Sequence, residues 1–413
     1  MKRLLPLLLV GCSIRLYDSG ASTASGGVEP TPVAGTTTAC PATIDAYREL
    51  LVIDPSVLGD GRAKNDDADG AWSFRARLDE IAGTAHAGDA ALAWLEQWRD
   101  VTSVGTDGAP VTPRPAVDDV LVAPWRAASS PDCNAAGLDP TKAPFRLLAI
   151  ANRIDLRDDP AACVGAAGEL RFVYTALDAS GAALPMTVIF EVPYPKTRSP
   201  HDWAAAWHAL GALPFGAKYN DALEALTRSV TDAVDARTVH VRTNESALGD
   251  GWEMREFAAS GDGSLDEVAI DTTPRDDLDG ASSLGAWVAG DADAVASGAW
   301  VLPSAMRAGA ASIPSASFRW SVTGASSSLG RAFSAGTCNG CHGGETTALP
   351  FQHLAASDGY YGDGDGKTRV SPYLESELGR RAQSMNNALC SSCDGSSGGT
   401  PYGAEPTSPS CGK

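Results

Sequence analysis

Apolar side chains recur at helical spacing over residues 43–52, from Trp72 and Phe74 through Ile81, and again over 89–98. Gly83 and Gly88 bracket the break between the last two, which predicts separate helices. A proline-containing stretch at 101–130 has little pattern and reads as loop. The pattern then changes. Residues 145–154 form a nearly continuous apolar run, and 170–177 and 186–192 follow, with Gly165, Gly168 and Gly181 as turn material. The short gap between the last two runs predicts an antiparallel hairpin. Helical spacing returns over 201–213 and 219–234, and strand-like runs over 238–243, 252–258 and 265–270. Residues 276–310 are mixed, and no repeat of fixed period is present. Helices and antiparallel strands come in blocks, so the expected fold class is α+β.

This pattern divides the chain into an α+β domain of residues 41–325, a small and mainly helical segment at 326–393, and a tail. The tail, 394–413, is Gly, Ser, Pro and Thr with one aromatic, and reads as disordered apart from a tie through Cys411. Residues 13–40 are rich in Ser, Thr, Gly, Ala and Pro and read as a flexible tether, spanning roughly 25–30 Å as a coil. Hydrophobic residues make up 44% and charged residues 20%, ordinary globular usage, so the chain as a whole is not disordered. The net charge of −19 argues against a nucleic-acid partner and against charge-driven binding to an anionic membrane surface.

The N-terminus changes that picture. Lys2 and Arg3 precede a short apolar run, 4–10, which is too short to span a bilayer as a helix and reads as the core of a signal peptide at 1–11. Leu9-Val10-Gly11-Cys12 resembles the lipobox of bacterial lipoproteins. The resemblance implies lipidation of Cys12, a membrane partner through the acyl chains, and a place in the bacterial cell envelope. Ser13, rather than aspartate, after the cysteine implies the outer membrane, facing periplasm or surface. Export also accommodates the nine cysteines. With Cys12 lipidated and Cys338 and Cys341 used elsewhere, six remain: Cys40, Cys133, Cys163, Cys390, Cys393 and Cys411. Six can form three disulfides in 15 pairings; Cys133 with Cys163 is the first expectation, since both flank one apolar strand.

The chemistry concentrates at 336–344, Gly-Thr-Cys-Asn-Gly-Cys-His-Gly-Gly. Cys-x-x-Cys-His places two thiols to reach neighbouring vinyl groups of a porphyrin and sets the next residue, His342, beneath the iron. Small residues at Asn339, Gly340 and Gly343 would let the backbone approach the macrocycle. With Gly330-Arg331-Ala332-Phe333 before it, the stretch resembles the first helix and haem-binding turn of class I cytochromes c over roughly 329–352, and at 370–390 as a possible closing part. The resemblance implies one covalent haem c per chain, thioethers at Cys338 and Cys341, His342 as axial ligand, and an electron-transfer or redox-sensing role with a redox partner protein. That family supplies a methionine from a loop. Here Met385, the only methionine after the motif, sits in a stretch of helical pattern without proline, so His353 competes with it for the sixth position, as does an open site. Phe333, Leu349, Phe351, Leu354 and Leu378 are the apolar candidates for the haem edge.

Other features carry weaker chemistry. Cys390-Ser391-Ser392-Cys393 reads as disulfide partners, as half of a four-thiolate zinc site with Cys338 and Cys341 that would replace the haem, or as a thioredoxin-like pair. A haem-free surface binding protein is accordingly the alternative function. Calcium is a possible cofactor at 65–70, where Ala76 stands at the closing position, and at Asp358, Asp363 and Asp365, where Lys367 stands at an acidic one; solvated turns are the simpler expectation. His201 and His208 share a helix face with Trp203 and Trp207 and read as packing rather than ligation. Asn152, Arg153 and Asp155 end an apolar run and are expected to form a buried hydrogen-bonded cluster. With 243–245 and 252–257, that run resembles bacterial lipoproteins ending in the same Cys-Asn-Gly-Cys-His-Gly stretch, over most of 70–355. No nucleophile–base pair stands out in 41–330, and no hydrolase elbow, phosphate loop or His-Glu-x-x-His is present, so the sequence leaves enzyme activity undecided.

Overall fold

The computed structural model describes residues 42–100, 103–104, 109–130, 137–157, 165–298, 300–313, 318–346, 352–358 and 367–390. The signal segment, Cys12, the tether, the tail, and Cys40, Cys133, Cys163, Cys393, Cys411, Leu349, Phe351, Asp363 and Asp365 lie outside the described residues. The fold is mixed α+β, as the pattern predicts. No helix among the described residues is long and apolar enough to cross a membrane.

One antiparallel sheet organises the molecule. Its strands are β1 (Leu51–Val52), β2 (Phe145–Arg153), β3 (Glu169–Leu177), β4 (Ala183–Pro193), β5 (His240–Glu245), β6 (Trp252–Ala259), β7 (Leu265–Val268) and β8 (Ala310–Ile313). They lie in the order β1-β2-β3-β4-β5-β6-β8, with β7 also paired to β6. The expected hairpin is β3–β4, with Leu170 opposite Val192 and Tyr174 opposite Val188.

Strand alternation gives the sheet two different faces. Phe172, Tyr174, Val188, Phe190, Val241 and Phe257 point to one side. There they meet two helices, α1 (Phe74–Ala82) and α2 (Ala87–Asp100), while α3 (Pro200–Gly211) and α4 (Ala217–Thr231) connect β4 to β5. Phe74 stacks on Phe145 with ring centroids 4.1 Å apart, and Trp98 lies against Phe257 at 5.0 Å. Both helices carry their aromatic and aliphatic residues on one stripe, so packing rather than propensity fixes them. Ser73 caps α1 by accepting from Ala76 N, and Gly83 at φ +74 ends it.

The second face carries arginine, threonine and asparagine among its aliphatic residues. It is covered by the Cys-x-x-Cys-His turn, a hairpin of Leu354–Ala356 with Thr368–Val370, and helix α6 (Pro372–Cys390), while helix α5 (Ser327–Gly336), just before the turn, packs on the helices at 282–297. A mainly helical end segment was the expectation; a two-stranded hairpin interrupts it. Ala356, Leu374, Leu378, Met385 and Ala388 belong to the same apolar core as the sheet and helices α1 and α2, so no gap in the core marks the 325/326 boundary.

Two local expectations differ from the fold, and a stretch read as mixed has defined helices. Helix at 43–52 is confined to Ala46–Glu49, because Leu51 and Val52 are buried as a sheet edge, pairing with Ala151 and Ile150. The stretch 101–130 contains helical turns from Asp118 to Ser129, with Val117, Leu121, Val122 and Trp125 buried on one side. Pro124 sits in the first turn of its helix, where proline breaks nothing. The mixed stretch 276–310 contains helices Ser282–Gly290 and Ala292–Ser297.

Candidate functional site

The Cys-x-x-Cys-His turn is held by its own backbone chemistry. Thr337 caps the turn, accepting from Gly340 N at 3.0 Å while its hydroxyl donates to Ser334 O at 2.7 Å. Asn339 is fully buried; its Oδ1 accepts from Trp320 Nε1 at 2.8 Å. A Cβ on Gly340 would stand 2.0 Å from Ser334 O, so no other residue fits there. The small residues at 339 and 340 therefore serve the packing of the turn on α5, a reason the sequence pattern did not supply. Gly343 meets Phe318 O and Ile313 at 3.3–3.6 Å, which a side chain could nearly tolerate.

The two cysteines face different surroundings. Cys338 is 0% exposed, lies among Trp252, Met254, Ile270, Ala311 and Ile313, and has Thr272 Oγ1 at 3.9 Å from its sulfur. Cys341 borders a cleft between the second face of the sheet and the covering segment, together with His342 and His353. The cleft holds about 120 Å³ of internal free space and is partly open to solvent, so an occupant of small-molecule size must widen it. Leu51, Ala151, Val173, Ile189, Met254 and Leu354 give it apolar walls.

Inside the cleft the imidazoles are oriented from behind. His342 stacks on Trp252, with centroids 5.0 Å apart and planes at 24°. Trp252 Nε1 in turn donates to Asn244 Oδ1. His353 Nδ1 lies 3.0 Å from Ser371 Oγ, and Ser371 N donates to His353 O at 2.9 Å. With Nδ1 engaged there, Nε2 faces Cys341 Sγ at 3.5 Å. The His342 and His353 rings are 4.6 Å apart, so a planar group seated between them must spread them. Tyr373 flanks His353 at 5.1 Å.

The other candidates fall as follows. Met385 is fully buried in the main core, with Asn152 Nδ2 3.8 Å from its sulfur. It lies twelve residues along α6 from Tyr373, about 18 Å at helical rise, and does not border the cleft. Phe333 packs with Trp300 and Trp320 in a separate cluster, Leu378 lies in the main core, and Leu354 alone of the described apolar candidates lines the cleft. Asn152 is fully buried and accepts from Tyr194 Oη at 2.8 Å and Ile154 N at 3.1 Å, while Arg153 grips Asp155 at 3.0 and 3.1 Å, the cluster expected there. Asn65 spends its amide on Ala143 O, Phe145 O and Arg75 N, a structural turn. Asp358 is paired by Arg146 at 2.5 Å. His208 Nδ1 meets Glu49 Oε2 at 2.8 Å, and Trp203 and Trp207 are buried. Cys390 is in a disulfide whose partner lies outside the described residues, which removes its sulfur from a zinc site shared with Cys338 and Cys341. Among the described residues no group of three or more His, Cys, Asp and Glu side chains is arranged to hold a metal ion by itself.

Sequence reasoning singled out Arg153 but missed three further arginines. Arg153, Arg171, Arg242 and Arg381 also line the cleft. Arg171, Arg242 and Arg381 come from three separate stretches, and only the two-residue alternation of β3 and β5 could have hinted that two of them share a face.

No protein-family model, curated protein or solved structure matches this chain.

Proposed function

We propose that the chain is an exported, lipid-anchored protein that holds one c-type haem in this cleft and transfers electrons or senses redox state. The observation that carries the reading is convergence: Cys341, His342 and His353 come from two separated stretches and border one cleft with apolar walls. The fit of the residues supports it at three of four points. Cys341 offers a thioether position, His342 and His353 offer nitrogen ligands oriented by Trp252 and Ser371, and part of the wall is apolar. Cys338 is the fourth; it packs beside Met254 rather than lining the cleft. Bound there, the haem would supply one-electron chemistry at its iron, and two histidine ligands would set a lower potential than histidine with methionine. His353 is the sixth-ligand choice, since Met385 is a further three helical turns away from Tyr373.

The test is expression with and without the cytochrome c assembly machinery. A covalent haem stain on a denaturing gel and a c-type α-band are expected only with it. A colourless chain with both thiols alkylatable in the assembling host would refute the reading. His353→Ala is expected to change the low-spin spectrum of the oxidised protein, and Met385→Leu to leave it unchanged.

One contact favours a second reading. Cys341 Sγ, His353 Nε2 and Ser371 Oγ form a relay of 3.5 and 3.0 Å, the order of a thiol nucleophile, a base and its orienting group. A haem-free chain whose Cys341 reacts with iodoacetamide much faster than free cysteine, in a His353-dependent way, would establish it.

A further inference from the structure

The arginine end of the cleft holds one guanidinium that no carboxylate engages by a hydrogen bond among the described residues. Arg153 holds both oxygens of Asp155 at 3.0 and 3.1 Å. Arg171 pairs with Glu169 and lies 3.1 Å from Glu191; Arg242 lies 3.0 Å from Glu256 and 3.6 Å from Glu191. Glu377, which also borders the cleft, is taken by Arg380 at 2.6 Å. Every carboxylate in this group thus has a closer arginine than Arg381. Asp155 Oδ2 stands 4.0 Å from Arg381 Nε, beyond hydrogen-bond range, and that buried Nε has no hydrogen-bond partner. The Arg381 side chain is only 12% exposed. Burial first, and then the neighbouring Arg153 and Arg171 charges, pull its pKa down to about 10. A guanidinium in that position has only the distant, shared charge of Asp155 and no carboxylate on its Nε.

We propose that Arg381, backed by Arg171 and Arg153, is the carboxylate-binding end of the cleft. The guanidinium fork suits a carboxylate, and desolvation makes such a pairing stronger than at a surface. The spacing defines what kind of carboxylate. Tyr373, Glu377 and Arg381 follow at intervals of four on one face of α6, so Arg381 lies about 12 Å along the helix from the Tyr373–His353 contact. The occupant is an elongated, largely apolar molecule with an acid group at one edge. Two sources share this chemistry. One is a propionate of a tetrapyrrole, which rests on the haem reading above. The other is a free carboxylic acid with an apolar body, which does not.

The test uses the chain purified without cytochrome c assembly, titrated with haemin, with haemin dimethyl ester and with decanoate. Binding is followed by Soret absorbance for the first two and by melting temperature for all three, in the parent, Arg381→Gln and Arg381→Lys, with circular dichroism to check folding. Haemin binding at least tenfold tighter than its diester in the parent, with the difference lost in Arg381→Gln and partly kept in Arg381→Lys, supports a propionate source. No haemin binding, together with an Arg381-dependent rise in melting temperature with decanoate, supports the carboxylate site while the haem reading fails. Equal binding of haemin and its diester by a folded parent and Arg381→Gln, without an effect of decanoate, overturns the inference and leaves haem binding standing. No response to any of the three overturns it as well.

Discussion

The two cysteines of one short motif have different access to the cleft, and single substitutions should separate them. Both are buried, but Cys341 borders the cleft and Cys338 does not. On the haem reading, Cys341→Ala is expected to abolish the covalent stain, and Cys338→Ala to leave a singly attached haem, measured by intact mass. Equal loss in both would contradict the asymmetry. Gly340 is a purely structural constraint. Its Cβ has no room against Ser334 O, so Gly340→Ala should cost about 2–3 kcal/mol in chemical denaturation whatever ligand is present. The motif itself was legible residue by residue, because rare residue types at fixed spacing need no fold to be noticed. The role of its small residues was not, since that depends on how the turn seats against α5.

At the scale of elements, the sheet does the positioning. Trp252 in β6 supports His342, and Ser371, just before α6, supports His353. Trp252→Ala removes a fully buried indole from beneath the imidazole and should cost about 3–5 kcal/mol. Trp252→Phe keeps an aromatic face and should recover most of that loss in the same denaturation experiment. The helices α1 and α2 were readable because each buries one stripe, which writes a period into the sequence, and the long strands because they are apolar runs bounded by glycine turns. The second face was not. There the buried residues are arginine and glutamate paired with one another, such as Arg171 with Glu169 and Arg242 with Glu256, and a polarity pattern registers them as solvent-facing. The edge strand β1 was missed for a different reason: two residues are too few to show alternation, and only pairing with Ala151 and Ile150 defines it.

Across the whole molecule, buried carboxyl groups make stability depend on pH in two directions. Burial raises Glu245 and Glu267 to about 7, beyond what Arg114 and Arg255 offset. The folded chain keeps protons there that the unfolded chain has lost, so stability declines as pH rises from about 4.5 through 7. Asp155 and Glu256 behave oppositely. Arg153 and Arg242 overcome burial and hold their carboxyls low, Glu256 at about 2. The stability they contribute is present above the ordinary carboxylate range and is lost as pH falls below it. The melting temperature is therefore expected to peak near pH 5 and to fall on both sides, and Glu245→Gln with Glu267→Gln should flatten the alkaline limb. A flat profile between pH 5 and 8 would refute the account of these two residues.

The hairpin and α6 that roof the cleft come after the Cys-x-x-Cys-His turn in the chain, while its floor is laid down by strands between residues 145 and 259. A growing polypeptide therefore presents the motif against an uncovered floor before the roof has emerged. Whatever occupies the cleft has an interval in which to enter from above, and docking of α6 afterwards would bring Arg381 down on it like a latch. A chain ending at residue 346 should keep the motif but lose retention of the occupant, so that the order of synthesis, as much as the final contacts, decides how the site is filled.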